Sequence, residues 1–517
     1  MNPGFFGLEI AVRGLYTAQR NLDVINHNVN NINTPGYSRQ IANQSASRPI
    51  ALLNGTGMLG TGSDVTGINR IRDEYLDFKY WSENTTYGEW ECKKALMADL
   101  EVTFNEPSNS GFSTMLDEFF NSLQELAKDP GSEAVRALVK ERGITLAKYF
   151  NNMATHMEEL QVDLNHQINT KVNRINSLGS QIQQLNKQIY RSELDGNVAN
   201  DLRDQRTLLI DELSKLVNID VHEVVAGKLP NGKEDKRMLI TINGKPFVDH
   251  YDLTKLAVKQ RADKLNPEED VVNLYEVMWE DGNSIQIRGG ELKGLLDIRD
   301  GNEGENGSPL YKGIPFYIKK LNQFVRVFAQ AFNEGIIGGV DMEGHADGIG
   351  ADNSTGVRFF TMLGTGNLPM SSSDFISNPD CYNELTAKNF CVSSDIINDI
   401  SKIATSDTPD QIGNIENINK LIKMRNNTHM FTEGAPEDFM KSIVSNLGID
   451  SQMAVRMSAN QNAMIRQVEN QRLSESGVSM DEEMANMVKH QQAYNAAAIM
   501  INTMSEIYDI LINRVGL

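Results

Sequence analysis

The chain has 517 residues, with 49 basic against 69 acidic side chains and a formal charge of −20. That length exceeds what one hydrophobic core normally fills, so two to four domains are expected, and a polyanion of this size is a poor nucleic-acid binder. No run of about 18 apolar residues spans a membrane, and three cysteines cannot complete a disulfide framework.

From the start, Leu8, Val12, Leu15, Gln19, Leu22, Asn26 and Val29 recur at four-three spacing, with Ile25 and Ile32 widening the stripe. This is the seam of a heptad helix. Asn33, Thr34 and Pro35 stop it, because the proline ring biases Thr34 away from helical angles, and Gly36 permits a sharp redirection. Tyr37, Ser38, Arg39 and Gln40 follow. Gln40 to Arg72 is rich in Gly, Ser, Asn and Thr and reads as a connector. Its glycine cluster, Gly55 to Gly67, lacks the apolar strand that a phosphate cradle needs in front of it.

Helical periodicity covers Asp73 to about Phe104, breaks at Glu106-Pro107-Ser108-Asn109, resumes over Phe112 to Lys128, and breaks again at Asp129-Pro130. A long run then places Met157, Leu160, Leu164, Ile168, Val172, Ile175, Leu178, Ile182, Leu185 and Ile189 on one side. Cys92 falls in a helical run and reads as packed. After a turn at Asp195-Gly196-Asn197, Asp201 to Val217 forms another amphipathic helix. Between Ile219 and Asp300 the texture becomes short β-prone segments with hairpin signals at Asn231-Gly232 and Asp281-Gly282.

Helix returns over Pro315 to Asn333. The glycine-rich stretch 335–366 reads as a flexible loop, in which Asp341, Glu343, His345 and Asp347 faintly echo a calcium loop. Asp352 stands where that loop requires glutamate, so a solvated loop is the better reading. Cys381 and Cys391 are favoured as buried thiols, with their pairing left open. Phe390 to Ile403, Gln411 to Arg425 and Glu437 to Arg472 read as returning helices, the last carrying Ile443, Leu447, Met453, Met457, Met464 and Val468.

The final stretch repeats the four-three spacing: Met480, Met484, Met487, Gln491, Tyr494, Ala498, Ile501, Ser505, Tyr508, Ile512 and Val515. A helix over these positions is roughly 54 Å long at about 1.5 Å per residue, and Ser479 with Glu482 can form a capping box. Isolated, it would fray. It needs a second apolar seam, from its own chain or from a neighbouring subunit.

The sequence therefore divides into terminal helices with a connector (1–72 plus 476–517), a discontinuous helical rod domain (73–218 plus 301–475), and a β-rich insert (219–300). The fold class is mainly α with an inserted β-rich domain, α+β overall. No His-Glu-x-x-His, Gly-x-Ser-x-Gly, Cys-x-x-Cys or phosphate loop is present, and the eight histidines are scattered. No catalytic, cofactor or metal site is expected.

The strings at the two ends resemble signatures of the bacterial flagellar axial proteins, the rod, hook and hook-associated family. At the N-terminal end this is Asn28 to Gln40, NVNNINTPGYSRQ; at the C-terminal end it is an acidic pair leading into the Gln491-Gln492-Ala493-Tyr494 helix. Tyr37-Ser38-Arg39-Gln40 and Ser476-Gly477-Val478-Ser479 are most similar to the hook-associated branch, since rod and hook proteins more usually continue Gly-Tyr-Lys. Methionines at positions 480, 484, 487 and 500 stand where leucine or isoleucine is usual, which puts the tightness of the seam in doubt.

The resemblance implies a structural adaptor between hook and filament, assembling through both terminal helices. The implied partners are further copies of the chain, the hook protein, a second hook-associated junction protein, and a cytoplasmic export chaperone on the C-terminal helix. It also implies export through the flagellum's own channel without a cleaved signal peptide. A hook or rod subunit of the same family is the rival reading. A secreted adhesin or enzyme acting through the β insert is the alternative from another class.

Overall fold

The computed structural model describes residues 6–51, 57–104, 111–230, 232, 234–378 and 380–513. The chain opens with α1 (Phe6–Asn30), then strands β1 (Gln40–Ala46), β2 (Ile50–Ala51), β3 (Met58–Leu59) and β4 (Ser63–Arg70). Four helices follow: α2 (Glu74–Phe104), α3 (Phe112–Lys128), α4 (Glu133–Glu193) and α5 (Asn200–Leu216). Strands β5 (Asp220–Lys228), β6 (Glu234–Ile242), β7 (Lys245–Asp249), β8 (Asp252–Leu253), β9 (Leu256–Gln260) and β10 (Tyr275–Trp279) precede α6 (Glu291–Asp300) and α7 (Ile314–Glu334). After these come β11 (Ile336–Ile337), β12 (Val340–Asp341), β13 (Phe360–Met362), α8 (Ser372–Ser377), β14 (Phe390–Val392), α9 (Ser394–Asn398) and α10 (Glu416–Lys423). The long helices α11 (Pro436–Ser476) and α12 (Met480–Asn513) end the described chain.

The rod domain is built on the 61 residues of α4, capped by Ser132, whose hydroxyl accepts from the Val135 amide. Its apolar stripe, including Met157, Leu164, Ile168, Val172, Ile175, Leu178 and Ile182, is buried. The other long pair is α2 with α11. Arg472 on α11 bonds Asp77 near the start of α2, and Asn462 bonds Tyr87 one step further along, so the two helices run antiparallel. On α11 the covered positions are Leu447, Ser451, Ala454, Ser458, Ile465 and Val468, again in heptad steps. Met453 and Met464, expected on this core side, are exposed instead, because small serine and alanine side chains let the two helices approach closely along the neighbouring stripe.

At one end of the rod an aromatic cluster closes the core. Phe324 on α7 stacks on Phe150, Phe328 and Phe431, with ring centroids 5.1, 5.6 and 5.1 Å away. Phe359 packs edge to face against Phe119 and Phe332, and Phe360 edge to face against Phe332. These two belong to the stretch 335–366 that the sequence presents as flexible, and both are fully buried. His345 is likewise buried. Its Nδ1 donates to the Val357 carbonyl at 2.7 Å and its Nε2 accepts from the Ala404 amide at 3.0 Å, so it closes a loop and has no lone pair left for a metal. Among the described residues no cluster of metal-binding side chains converges. Cys381 and Cys391 are buried free thiols. The expected helices over 390–403 and 411–425 shorten to α9 and α10, with β14 pairing β13 and single 3-10 turns at Ile400–Lys402 and Met424–Asn426.

The β region is stitched to α4 and shares its core. Strands β5–β6–β7–β8 form one antiparallel sheet, and β9 pairs β10. Amide side chains along α4 serve their main-chain groups in order: Asn186 donates to the His250 carbonyl, Gln183 to that of Tyr251, and Asn176 exchanges two bonds with Leu256. Asn165 then accepts from the Tyr275 amide and Gln161 from that of Val271. Helix and sheet approach so closely that a Cβ on Gly179 would lie 2.6 Å from Phe247. The boundary expected at residue 300 also moves, since α6 packs with α2 and α4 and buries Leu292, Leu295 and Ile298.

Candidate assembly interface

The residues singled out at the two ends meet in one place. Helix α12 lies antiparallel along α1, and β1 and β4 form a ribbon on another side of α1. The register is regular. A Cβ on Gly7 would lie 2.9 Å from the Met504 methyl, a Cβ on Gly14 lies 3.9 Å from the Ala497 Cβ, and Asn28 Nδ2 donates to Glu483 at 3.3 Å. Each step of seven along α1 is thus matched by a step of seven back along α12, which sets Asn21 opposite His490.

This geometry corrects both predicted seams. Because α1 is covered by α12 and also by the ribbon, where Thr17 donates to the Ser63 carbonyl and Arg13 pairs with Asp64, its buried residues are Ala11, Thr17, Ala18, Asn21, Val24, Ile25 and Asn28. Of the predicted set only Ile25 is fully buried; Leu8, Val12, Leu15, Leu22 and Val29 are half-covered. On α12 the half-buried stripe is Met487, His490, Tyr494, Ala497, Ile501, Met504 and Tyr508, with Ala498 beside it. Met480, Met484 and Ile512 are exposed, and Val515 lies outside the described residues. Sequence spacing fixed one line of this stripe, through Met487, Tyr494, Ile501 and Tyr508. It missed the other, through His490, Ala497 and Met504, because histidine and alanine are weak apolar signals.

The motif after α1 forms a clasp between the helix pair and the rod domain. Pro35 and Gly36 turn the chain, Gly36 at φ +76°, so that the next residues run back along α12. Arg39 donates from Nε to Glu483 at 2.7 Å and from Nη1 to Glu482 at 2.6 Å, and its amide donates to the Ser476 carbonyl. Glu482, expected to cap its own helix, is therefore turned toward Arg39. Glu483 is the one fully buried residue of α12 among those described.

The other half of the clasp grips α5. Ser38 donates from its amide and its hydroxyl to Asp204, which also accepts from Arg70. Gln40 donates to Asp201 and accepts from Asn200. Asn28 completes the joint, accepting from the Gln40 amide and the Tyr37 hydroxyl. Burial, reinforced by Asp201, Asp204 and Glu483, holds the Tyr37 hydroxyl well above its usual range, so it remains a donor. Asn28, Asp204 and Glu483 were not predicted as site residues. The exact heptad spacing of Asn28 from Gly7, Gly14 and Asn21 was the available signal. Beside the clasp, an open groove of about 1000 Å³ separates it from α11, with Tyr80, Leu208 and Leu473 among its lining residues.

Outward, the pair exposes its large apolar side chains mainly on one helix, α1 contributing Tyr16. Val488, Ile499, Met500, Ile507, Ile510 and Leu511 of α12 are exposed, Ile499 by 65%. The outer side of α1 carries Gln19, Arg20, Asp23, Asn26 and Asn30. The two helices of this pair are the segments that place the chain among the axial proteins of the bacterial flagellum. Residues 8–37 match the family described as "Flagella basal body rod protein", and 469–514 match "Flagellar basal body rod FlgEFG protein C-terminal".

The middle of the chain narrows this to one member. Residues 97–360, just over half of the sequence, match "Flagellar hook-associated protein FlgK helical domain". The chain is similar to flagellar hook-associated protein 1 of Bacillus subtilis, at 30% identity over 100% of this chain and 99% of that protein. It is 26% identical to the Escherichia coli protein of the same name, over 97% of this chain and 98% of the relative. The structure titled the flagellar hook junction protein FlgK from Burkholderia pseudomallei shares the fold, with a TM-score of 0.57 at 14% identity, covering 79% of this chain and all of that one. The chain belongs to the flagellar hook-associated protein 1 family, and is a structural component of the flagellum.

Proposed function

We propose that the protein joins hook to filament, with the α1–α12 pair as the part that enters the axial assembly. The observation that carries this reading is the uneven surface of the pair: α12 is covered along one stripe only, yet carries Val488, Ile499, Met500, Ile507, Ile510 and Leu511 outside it. A helix of that kind is stable in water when further surfaces cover it. Neighbouring copies of the chain, the hook protein and the second hook-associated junction protein supply those surfaces in the assembly. Before assembly the same face suits an export chaperone, and the chain leaves through the organelle's own channel without a cleaved signal peptide. The clasp residues Ser38, Arg39 and Gln40 then transmit force between the packed helices and the rod domain.

Two measurements test this. Cells lacking the protein should build hooks that carry no filament; filaments attached normally in such cells would refute the junction role. Replacing the exposed Ile499 by aspartate should leave the purified chain as stable as the parent, yet fail to restore filaments to those cells.

A further inference from the structure

Along one line of the terminal pair, apolar contact does little to set the stagger. On α1 the residues that meet α12 at successive heptads are Gly7, Gly14, Asn21 and Asn28, two without side chains and two amides. Sliding α12 by one heptad would set Gly14 against Met504 or His490 and bring together surfaces of much the same kind. The clasp end of the pair would not survive that slide. Glu483 has a side chain only 2% exposed, and its two oxygens are taken by Arg39 Nε at 2.7 Å and Asn28 Nδ2 at 3.3 Å. Arg39 cannot follow a moving helix, because its neighbours Ser38 and Gln40 are bonded to Asp204 and Asp201 of the rod domain. A slide of seven residues carries Glu483 about 10 Å along the axis and leaves a carboxylate without its partners.

We propose that Glu483 is the register key of the terminal helix pair. Held by Arg39 and Asn28, it selects one antiparallel stagger out of several that the seam would otherwise accept, as a single polar residue does in the core of a coiled coil. Since Arg39 is anchored to the rod domain, the same contact fixes the rotation of α12 about its own axis. It thereby decides that Val488, Ile499 and Ile510 face outward while Met487, Tyr494 and Ile501 face α1. This inference concerns the isolated chain and does not depend on the junction reading.

Cysteine pairs in the full-length chain report the stagger. A Cβ at position 14 lies 3.9 Å from that of Ala497, within disulfide reach, so Gly14→Cys with Ala497→Cys reports the observed register. Gly7→Cys or Asn21→Cys with Ala497→Cys reports a slip of one heptad either way. After mild oxidation, peptide mapping by mass spectrometry separates these links from any made by Cys92, Cys381 or Cys391. The 14–497 link should form at least about tenfold more than either slipped link.

Adding Glu483→Leu and Arg39→Leu should reduce that preference to about threefold or less, with the denaturant midpoint of the rod domain checking that the chain still folds. An unchanged link pattern in the substituted chain would overturn the proposal, as would no preference in the parent. Loss of every link with the rod intact would overturn it too, by assigning Glu483 to holding the helices together rather than aligning them.

Discussion

Helices α7 and α12 are both rich in large apolar residues, and the chain treats them in opposite ways. Of the 21 residues of α7, 14 are buried, and its phenylalanines stack at the centre of the aromatic cluster. Of the 34 residues of α12, one is buried, and that one is Glu483. Apolar content alone therefore does not distinguish a core helix from an assembly helix. What distinguishes them is whether the rest of the same chain supplies cover. Around α7 it comes from α3, α4, α11 and the segment 335–366. Around α12 it comes from α1 and, at the first turn, from Arg39 of the clasp, and along one line of the contact α1 offers only glycines and asparagines.

The contrast can be broken by substitution. Phe324→Ala, at the centre of three stacked rings, should cost the rod about 3–5 kcal/mol, read as a lower denaturant midpoint. A loss under about 1 kcal/mol would mean the cluster is not the closed core described. His345 gives a pH test of the same region. Burial pushes its pKa down from 6.5 to about 4, so folding favours the neutral ring. The associated stability is fully present above pH 6.5, is lost as pH falls toward about 4, and amounts to about 3 kcal/mol. The thermal midpoint of the parent should fall more steeply across that window than that of His345→Gln, whose amide preserves a donor and an acceptor but does not titrate.

Gly143→Ala should destabilise by about 1–3 kcal/mol although alanine is the better helix former, because the added methyl lies 2.6 Å from the enclosed Phe359 ring. The smallest effect belongs to α12. Ile499→Ala should change the stability of the isolated chain by less than about 0.5 kcal/mol; a larger loss would show that this face is already covered in the monomer.

The same contrast explains what could be read from the sequence. Long helices announced themselves where one face is buried and the spacing is regular, as along Leu164 to Ile182 and at both termini. The motif strings at the ends pointed to the flagellar axial family, which the structure and the relatives support. Burial of glycine-rich segments was invisible. Phe359 and Phe360 sit in a stretch with the composition of a mobile loop, yet two adjacent rings and a desolvated histidine fix it to the core. Covered positions were also misplaced wherever the contact uses small or polar residues, as at Ser451, Ala454 and Ser458 on α11 and at Asn21 and Asn28 on α1. In those places the period shows that a seam exists without showing which stripe is the seam. The clasp was legible as a string, but the ion pairs linking residue 39 to residues 482 and 483 join segments far apart in the chain, and no local pattern reveals them.

The amide row on α4 bears on how this molecule can change. Asn165, Asn176, Gln183 and Asn186 hold the β region by main-chain atoms that every residue but proline possesses, the carbonyls of positions 250, 251 and 256 and the amides of 256 and 275. Such a mount is indifferent to which side chains the strands carry on their free side. The outer surface of that region can therefore be rewritten, residue by residue, while its seat on the long helix stays as it is.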